Sequence, residues 1–455
     1  MPRDIGELLE ELEAYHALLA PAFARIEQWS WARVYLRGLL GEQSRKSIEP
    51  IALSEGVCVR TLQHFIGGSP WSMEPVLAVH HRLIAETIGE SDAAVVVDES
   101  GVPKQGDDSV GVARQYCGAL GKVANCQVGV YLGYVSRIGY TLANAHLFLP
   151  QEWFDEAHAE KRRRCGVPED AEFQTKPQIA LSMLEQAVNL GELPFRWVIA
   201  DSLYGNSPTF REGVARLGKW YFVEVSSQTW VYRRRPALLP PVWSGRGRPP
   251  KYPRLRTPSH RPIRVDKLAR RLPKEAWTRC IIKEGSQGPL IADLAVLRVT
   301  LAHRGFPGEE VWLVIRRKVE PPIEVKFYVS NAPPDVSQGE LIRLCGLRWS
   351  IESALKESKQ GVGLADYETR SWRGWHHHML LVMLAHFFLV RVRVRLRGRA
   401  PALTIYQVRR LLACLLPRPD FDRAAALRLI CYYQRRNHIA YVSHRKTQLA
   451  RVSFV

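Results

Sequence analysis

The chain has 455 residues, enough for two or three domains and a sizeable core. Its 64 Lys and Arg against 45 Asp and Glu give a net charge of +19, which favours a polyanionic partner. The eight cysteines (58, 117, 126, 165, 280, 345, 414 and 431) show no paired metal-ligand spacing, which argues against a disulfide frame or zinc site and reads as buried thiols in a reducing cytosol. Asp4, Glu7 and Glu10 among the first leucines do not suit a signal peptide, and the apolar stretch 379–390, interrupted by His386, is too short to span a bilayer. A cytoplasmic protein with no membrane partner is expected, and 379–390 reads as a core helix.

Residues 1–90 read as a helical region, with Leu8, Leu9, Leu12, Tyr15, Leu18 and Leu19 at helical spacing. Within it, residues 47–66 place a small residue at Ala52, a glycine at Gly56 and an apolar residue at Leu62. A helix-turn-helix needs those three, for helix contact, turn and packed face, and an ordinary helical hairpin fits them as well. The pattern then turns to strands. The run Ala93-Ala94-Val95-Val96-Val97 ends in Asp98, and a Gly-rich polar stretch follows through Gly121. Residues 126–135 and 139–149 form a predicted hairpin around the turn at Arg137-Ile138-Gly139. A helix is predicted over 178–190, a second Asp-bearing strand over 196–201, a helix over 210–217 and a strand over 220–225. Strand, hairpin, helix, strand, helix, strand is the order of a ribonuclease-H-like α/β core, its first part assigned to 91–228.

About 150 residues then separate Asp201 from Glu352. Residues 229–335 read as a basic loop and β-rich insertion. The part 230–275 is Pro-, Arg- and Gly-rich and loop-like, and strands are predicted at 278–283, 294–301, 310–319 and 324–329. Between 230 and 279 there are 15 Lys and Arg against 2 acidic residues. A helix over 338–360 carries Glu352 and returns the chain to the core over 336–396. Residues 397–455 form a basic helical tail.

Asp98 and Asp201 each end a predicted strand, and Glu352 lies on a later helix. Three such carboxylates can share one site, where their repulsion calls for cations. Hard divalent ions take oxygen ligands of this kind. Two ions about 4 Å apart can activate a water and stabilise the leaving oxygen of a phosphodiester. On the Glu352 helix, Arg348, Glu352 and Lys359 stand at i, i+4 and i+11 and share a face. That face can set a carboxylate on a metal and two cations on phosphates. Glu352 and Lys356 also suit an ordinary solvated i,i+4 pair.

With these residues in place, the chain resembles a DDE transposase of a bacterial insertion sequence. It resembles the branch with a β-strand insertion before the Glu and a Tyr-(2)-Arg-(3)-Glu-(6)-Lys signature. Arg348, Glu352 and Lys359 match that signature, whereas Cys345 stands where it has Tyr, so no role is carried to position 345. The stretches 98–101, 111–116, 121–127, 200–205 and 371–378 also resemble one subgroup, and the likeness spans roughly 40–390. It implies a ribonuclease-H-like core with Asp98, Asp201 and Glu352 as catalytic metal ligands. It also implies Mg²⁺, with Mn²⁺ as a substitute and two ions per site. The partners it implies are double-stranded DNA, as terminal inverted repeats and as target, and a homodimer in the DNA complex. Related transposases close a DNA hairpin during second-strand cutting, for which an aromatic residue could stack an unpaired base. Trp230 and Trp243 suit that better than Trp277 or Trp312, the last lying within an apolar strand.

Arg246, Arg248 and Lys251 lie in Ser-Gly-Arg-Gly-Arg-Pro-Pro-Lys, which resembles an AT-hook inserted in the minor groove and equally suits a phosphate-binding loop. Arg60, Arg114, Lys122 and Lys176 are further candidate DNA contacts. His376, His377 and His378 project about 100° apart on a helix and cannot converge on one ion. Two other readings of the chain are a ribonuclease-H-like nuclease that never joins strands and a domesticated protein that only binds DNA.

Overall fold

A computed structural model of the chain describes residues 2–243, 247–248, 252–285, 288–321, 323–417 and 422–452. The N-terminal helices are α1 (Pro2–Ala17), α2 (Ile26–Leu40), α3 (Ile48–Ser54), α4 (Val59–Gly67) and α5 (Met73–Ile88). Then come strands β1 (Ala94–Pro103), β2 (Ala113–Cys117), β3 (Lys122–Val135) and β4 (Tyr140–Phe148), and helices α6 (Ala159–Cys165) and α7 (Lys176–Leu190). Strand β5 (Trp197–Ala200), helices α8 (Ser202–Gly205) and α9 (Pro208–Arg216) and strand β6 (Trp220–Val225) follow.

The next segment is more ordered than its composition predicts. It holds β7 (Trp230–Tyr232), β8 (Leu238–Leu239), β9 (Arg254–Leu255), β10 (Ile263–Arg264) and helix α10 (Val265–Arg270). Four longer strands succeed it: β11 (Thr278–Gly285), β12 (Gly288–His303), β13 (Phe306–Lys318) and β14 (Val325–Ser330). The chain closes with α11 (Gln338–Leu347), α12 (Trp349–Gly361), α13 (Trp372–Leu396), α14 (Ile405–Leu415) and α15 (Arg423–Val452).

At the centre of the sheet, neighbours run β4, β3, β1, β5, β6. The first three pair antiparallel, and β5 lies parallel to both β1 and β6. Residues 94–97 and 197–200 are buried on both faces, as strands covered by helices require. The mixed sheet with flanking helices is the ribonuclease-H-like α/β arrangement expected from the element order. The later strands do not form a separate body. β14 pairs with β6, and β13, β12 and β7 continue outward, so the segment between Asp201 and Glu352 widens the same sheet.

Two close approaches dock the Glu352 helix. Gly133 on β3 leaves room for Ile351, because a Cβ there would lie 3.1 Å from its side chain. Gly346 on α11 likewise admits β11, since a Cβ would meet the Ile282 carbonyl at 2.8 Å. The predicted single helix over 338–360 is two helices that meet at Arg348.

In the N-terminal region α3 and α4 are joined by a turn with Gly56 at φ 67°. Ala52 and Leu62 are buried, while Arg60, Gln63 and His64 are exposed on α4. The three consecutive histidines of α13 are buried packing groups. The His377 ring lies within 2.9 Å of the Ile66 carbonyl through Nδ1 and 3.2 Å of the Trp71 carbonyl through Nε2. His378 meets the Tyr35 hydroxyl at 2.8 Å and the Gly363 carbonyl at 3.1 Å. These rings tie α2, α4 and the stretch after α12 to α13. The cysteines are less uniformly buried than expected: all eight are free thiols, and Cys58, Cys414 and Cys431 are exposed. No helix among the described residues is long and apolar enough to cross a membrane.

Burial holds His377 and His378 at about 4, against 6.5 for a solvated ring. A depressed folded-state value means that the unfolded chain takes up protons first. Stability is therefore complete above about pH 6.5 and is lost as pH falls from there to about 4. Each ring contributes on the order of 3 kcal/mol to that loss. Thermal unfolding between pH 7.5 and 4.5 should show a steep fall of Tm below pH 6.5, and Tm of the His377→Gln variant should fall less steeply.

Candidate active site

Parallel pairing of β1 with β5 ends where Val97 faces Ala200. The next residues on the two strands are Asp98 and Asp201, so adjacent strands deliver two carboxylates side by side. Asp98 lies mid-strand, not at a strand end as its apolar run suggested, because β1 continues against β3 as far as Pro103 opposite Cys126. Asp201 leaves the sheet as the N-cap of α8, its Oδ1 accepting the Leu203 N–H at 2.9 Å. Gly205, at the end of that helix, lies so close to β6 that a Cβ there would collide with the Glu224 carbonyl.

Arg348 occupies the bend between α11 and α12 and points inward. Its guanidinium lies 3.5 Å from Glu352 Oε1, 3.7 Å from Glu224 Oε2 and 3.9 Å from Asp98 Oδ2. Burial works against its charge, but Asp98, Asp201, Glu352 and Glu224 together hold its pKa above the ordinary value. Burial pushes the Asp98 carboxyl up to about 7; Arg348 opposes that rise, and Glu99 and Asp201 add to it. Arg348 thus acts here first as a counter-ion to the carboxylates. Glu352 pairs with it and has no ion pair to Lys356 among the described residues.

A cleft of about 500 Å³ opens beside this cluster, lined by Asp98, Glu99, Tyr116, Glu352, Lys356 and Lys359 among others. Lys359 is half-buried there, and desolvation lowers its pKa. Glu99 is held by Lys176 at 3.1 Å and by the Tyr204 hydroxyl, which donates to it at 3.1 Å. Lys176, a candidate DNA contact by sequence, is therefore an internal ion-pair partner beside the cleft.

The chain is similar in sequence to known proteins. Residues 18–289, more than half of the chain, match the family described as DDE superfamily endonuclease. The chain is a DDE superfamily endonuclease. It is also 26% identical over 368 residues to a protein described as a probable transposase for insertion sequence element IS701, from Microchaete diplosiphon. That alignment covers 79% of this chain and 81% of the relative. Glu352 lies beyond the stretch matched to the family, and α12, whose Ile351 packs against Gly133 of β3, brings it to the cleft that Asp98 also lines.

Endonucleases of this superfamily generally use divalent metals. Among the described residues no three His, Cys, Asp or Glu side chains converge closely enough to hold an ion as they stand. The donor chemistry fits a hard cation nonetheless, since one cationic group, Arg348, already spans Asp98, Glu352 and Glu224.

The remaining candidates of this DDE endonuclease do not join the cluster. Arg114 on β2, Lys122 at the start of β3, Arg60 on α4 and Arg248 are exposed and line no part of the cleft. Arg246 and Lys251 lie outside the described residues. Cys345 is buried, its Sγ donating to the Leu341 carbonyl at 3.6 Å within α11. Trp312 packs against the core and donates to the Pro333 carbonyl, and Trp277 packs beneath Arg317; Trp230 and Trp243 are exposed. Glu224 was missed by sequence reasoning. Its signal is a charged residue in the otherwise apolar strand Trp220-Tyr-Phe-Val-Glu-Val.

Proposed function

We propose that this endonuclease is the transposase of an insertion sequence, which cuts DNA at the element's terminal inverted repeats and joins the freed 3′ ends to target DNA. The observation that carries the reading is the register of β1 and β5, which sets Asp98 beside Asp201, together with a cleft that Asp98 and Glu352 both line. The named relative and the basic charge support it. Asp98, Asp201 and Glu352 would hold Mg²⁺, with Mn²⁺ as substitute, and two ions bound there would supply Lewis acidity at the phosphodiester. Lys359 and Lys356 steady the backbone phosphates from the same helix face. Arg348 neutralises the carboxylates in the free protein and pairs with a phosphate in the complex. Arg60, Gln63 and His64 on the exposed face of α4 enter the major groove as the reading surface of a helix-turn-helix. Arg114, Lys122, Arg246, Arg248 and Lys251 add phosphate or minor-groove contacts, and two copies act together on the paired ends.

The test is a duplex carrying the sequence that flanks the reading frame of this chain, incubated with protein and Mg²⁺. Nicks with a 3′-hydroxyl at the element boundary, absent in EDTA and absent from unrelated duplexes, are expected. Equal cutting of unrelated duplexes would overturn the reading in favour of a general nuclease.

Neutralising Arg246 and Arg248 together should weaken end binding and lower the magnitude of its log–log salt slope by roughly 0.9 for each phosphate no longer neutralised. Binding isotherms between 50 and 300 mM salt give that slope. A greater loss on A·T-rich than on G·C-rich ends assigns the pair to the minor groove, and an equal loss on both assigns it to phosphates alone.

A further inference from the structure

Helix α15 starts at Asp422, whose Oδ1 accepts the Ala425 N–H at 2.6 Å, and the alanines at 424–426 favour a helix from its first turn. That end lies against the rest of the chain. Leu429 and Tyr432 are half-buried, and Arg436 pairs with Glu49 of α3. Beyond this pair α15 leaves the core, and from Asn437 to Lys446 every side chain is exposed. A helix exposed on all sides holds its shape through ion pairs along its own surface or through a partner outside the chain. Residues 423–452 hold seven Lys and Arg and no Asp or Glu, so α15 has no ion pairs of its own.

The placement of the cations says which partner fits. Arg428, Arg435 and Lys446 are exposed and have no ion pair or hydrogen bond among the described residues. Arg435 and Lys446 follow Arg428 by 7 and 18 residues, about two and five turns, so the three project from one side of the helix. Their line is about 27 Å long, the length of about eight base pairs. A second copy of α15 does not suit this surface. Gln434-Arg435-Arg436-Asn437-His438 separates Tyr433 from Ile439, whereas a seam between helices needs an apolar residue every three or four positions. Two such helices side by side would also set cation against cation. A DNA duplex offers the opposite charge throughout its length, about one for every 1.7 Å of axis.

We propose that α15 is a docking rail for duplex DNA, with Arg428, Arg435 and Lys446 set along the phosphates of the backbone. The proposal adds a surface to the transposase reading and rests on its DNA binding. Phosphate contacts position a duplex and carry no sequence, so α15 holds any duplex equally. Arg436 is held by Glu49 and fixes the helix to α3, so it is not counted in the rail.

The test compares the full chain with two triple variants. One removes the charges (Arg428→Gln, Arg435→Gln, Lys446→Gln), and the other keeps them (Arg428→Lys, Arg435→Lys, Lys446→Arg). Each is titrated in Ca²⁺, over a range of salt, onto the element's end duplex and onto an unrelated duplex of the same length. Sedimentation of the free proteins gives their oligomeric state. The neutral variant should lose roughly 0.9 from the magnitude of the log–log salt slope for each of the three contacts. Its affinity at 100 mM salt should fall on the order of 10²-fold, by the same factor on both duplexes. The charge-keeping variant should bind both duplexes as wild type does. An unchanged slope in the neutral variant would overturn the proposal and leave the transposase reading standing, and a changed oligomeric state beside that slope would assign α15 to a second copy. A loss confined to the element's end, or an equal loss in the charge-keeping variant, would overturn it in favour of sequence reading or of a structural role. Failure of wild type to bind either duplex would overturn both readings.

Discussion

Replacing Asp98, Asp201 or Glu352 by alanine is expected to abolish cleavage, by on the order of 10³-fold or more, and to leave end binding intact. The three side chains come from three elements: mid-β1, the residue after β5, and α12. Their joint negative field is the feature to which Arg348 responds. Removing one carboxylate removes repulsion toward phosphate, so the affinity for DNA should hold or rise slightly. The opposite signs of the two effects separate this outcome from misfolding, which would lower both. A cleavage assay beside a gel shift on the same labelled duplex measures them. Ca²⁺ should support the shift without efficient cutting, because its looser coordination misplaces the reacting oxygens. Cleavage at the wild-type rate by any one variant would remove that residue from the site.

Arg348→Ala should destabilise the metal-free protein by on the order of 3 kcal/mol, since it strips the counter-ion from three carboxylates, one of them largely buried. Part of that cost is relieved when Asp98 takes up a proton, which its raised pKa already favours. Saturating Mg²⁺ should recover most of the lost stability, because an ion that binds only the folded state stabilises it by mass action. Thermal unfolding of wild type and variant in EDTA and in Mg²⁺ gives the comparison. A deficit of the same size in both conditions would mean that Arg348 supports the fold by some route other than charge balance.

Much of this architecture is written locally. The runs that end in Asp98 and Asp201 are apolar throughout because both faces of their strands are covered, and that pattern depends on few neighbours. Strand β6 and helices α7 and α13 likewise follow from periodicity. What could not be read depends on pairing between distant segments. The extension of β1 past Asp98 is set by its partner β3, and no feature of residues 99–103 announces it. The strands before Glu352 are legible one by one, but their union with the catalytic sheet is decided by a single pairing, β14 on β6. Arg348 shows the same limit at the level of one side chain. Its i,i+4 spacing to Glu352 is plain in the sequence, whereas its proximity to Asp98 and Glu224 comes from the docking of α12. Tyr116 and Lys356 line one cleft although they stand 240 residues apart in the chain.

In the proposed function one site, built from Asp98, Asp201 and Glu352, both cuts DNA and joins it. The most direct measurement supplies the second step alone. A precut end duplex with a labelled 3′-terminal strand is incubated with wild-type protein, Mg²⁺ and a supercoiled target plasmid. Label joined covalently to the plasmid is expected, and is abolished with a 3′-deoxy end and in each of the three alanine variants. Wild-type protein that cuts intact ends yet never transfers label would contradict it, and would leave a nuclease that hydrolyses DNA without joining it.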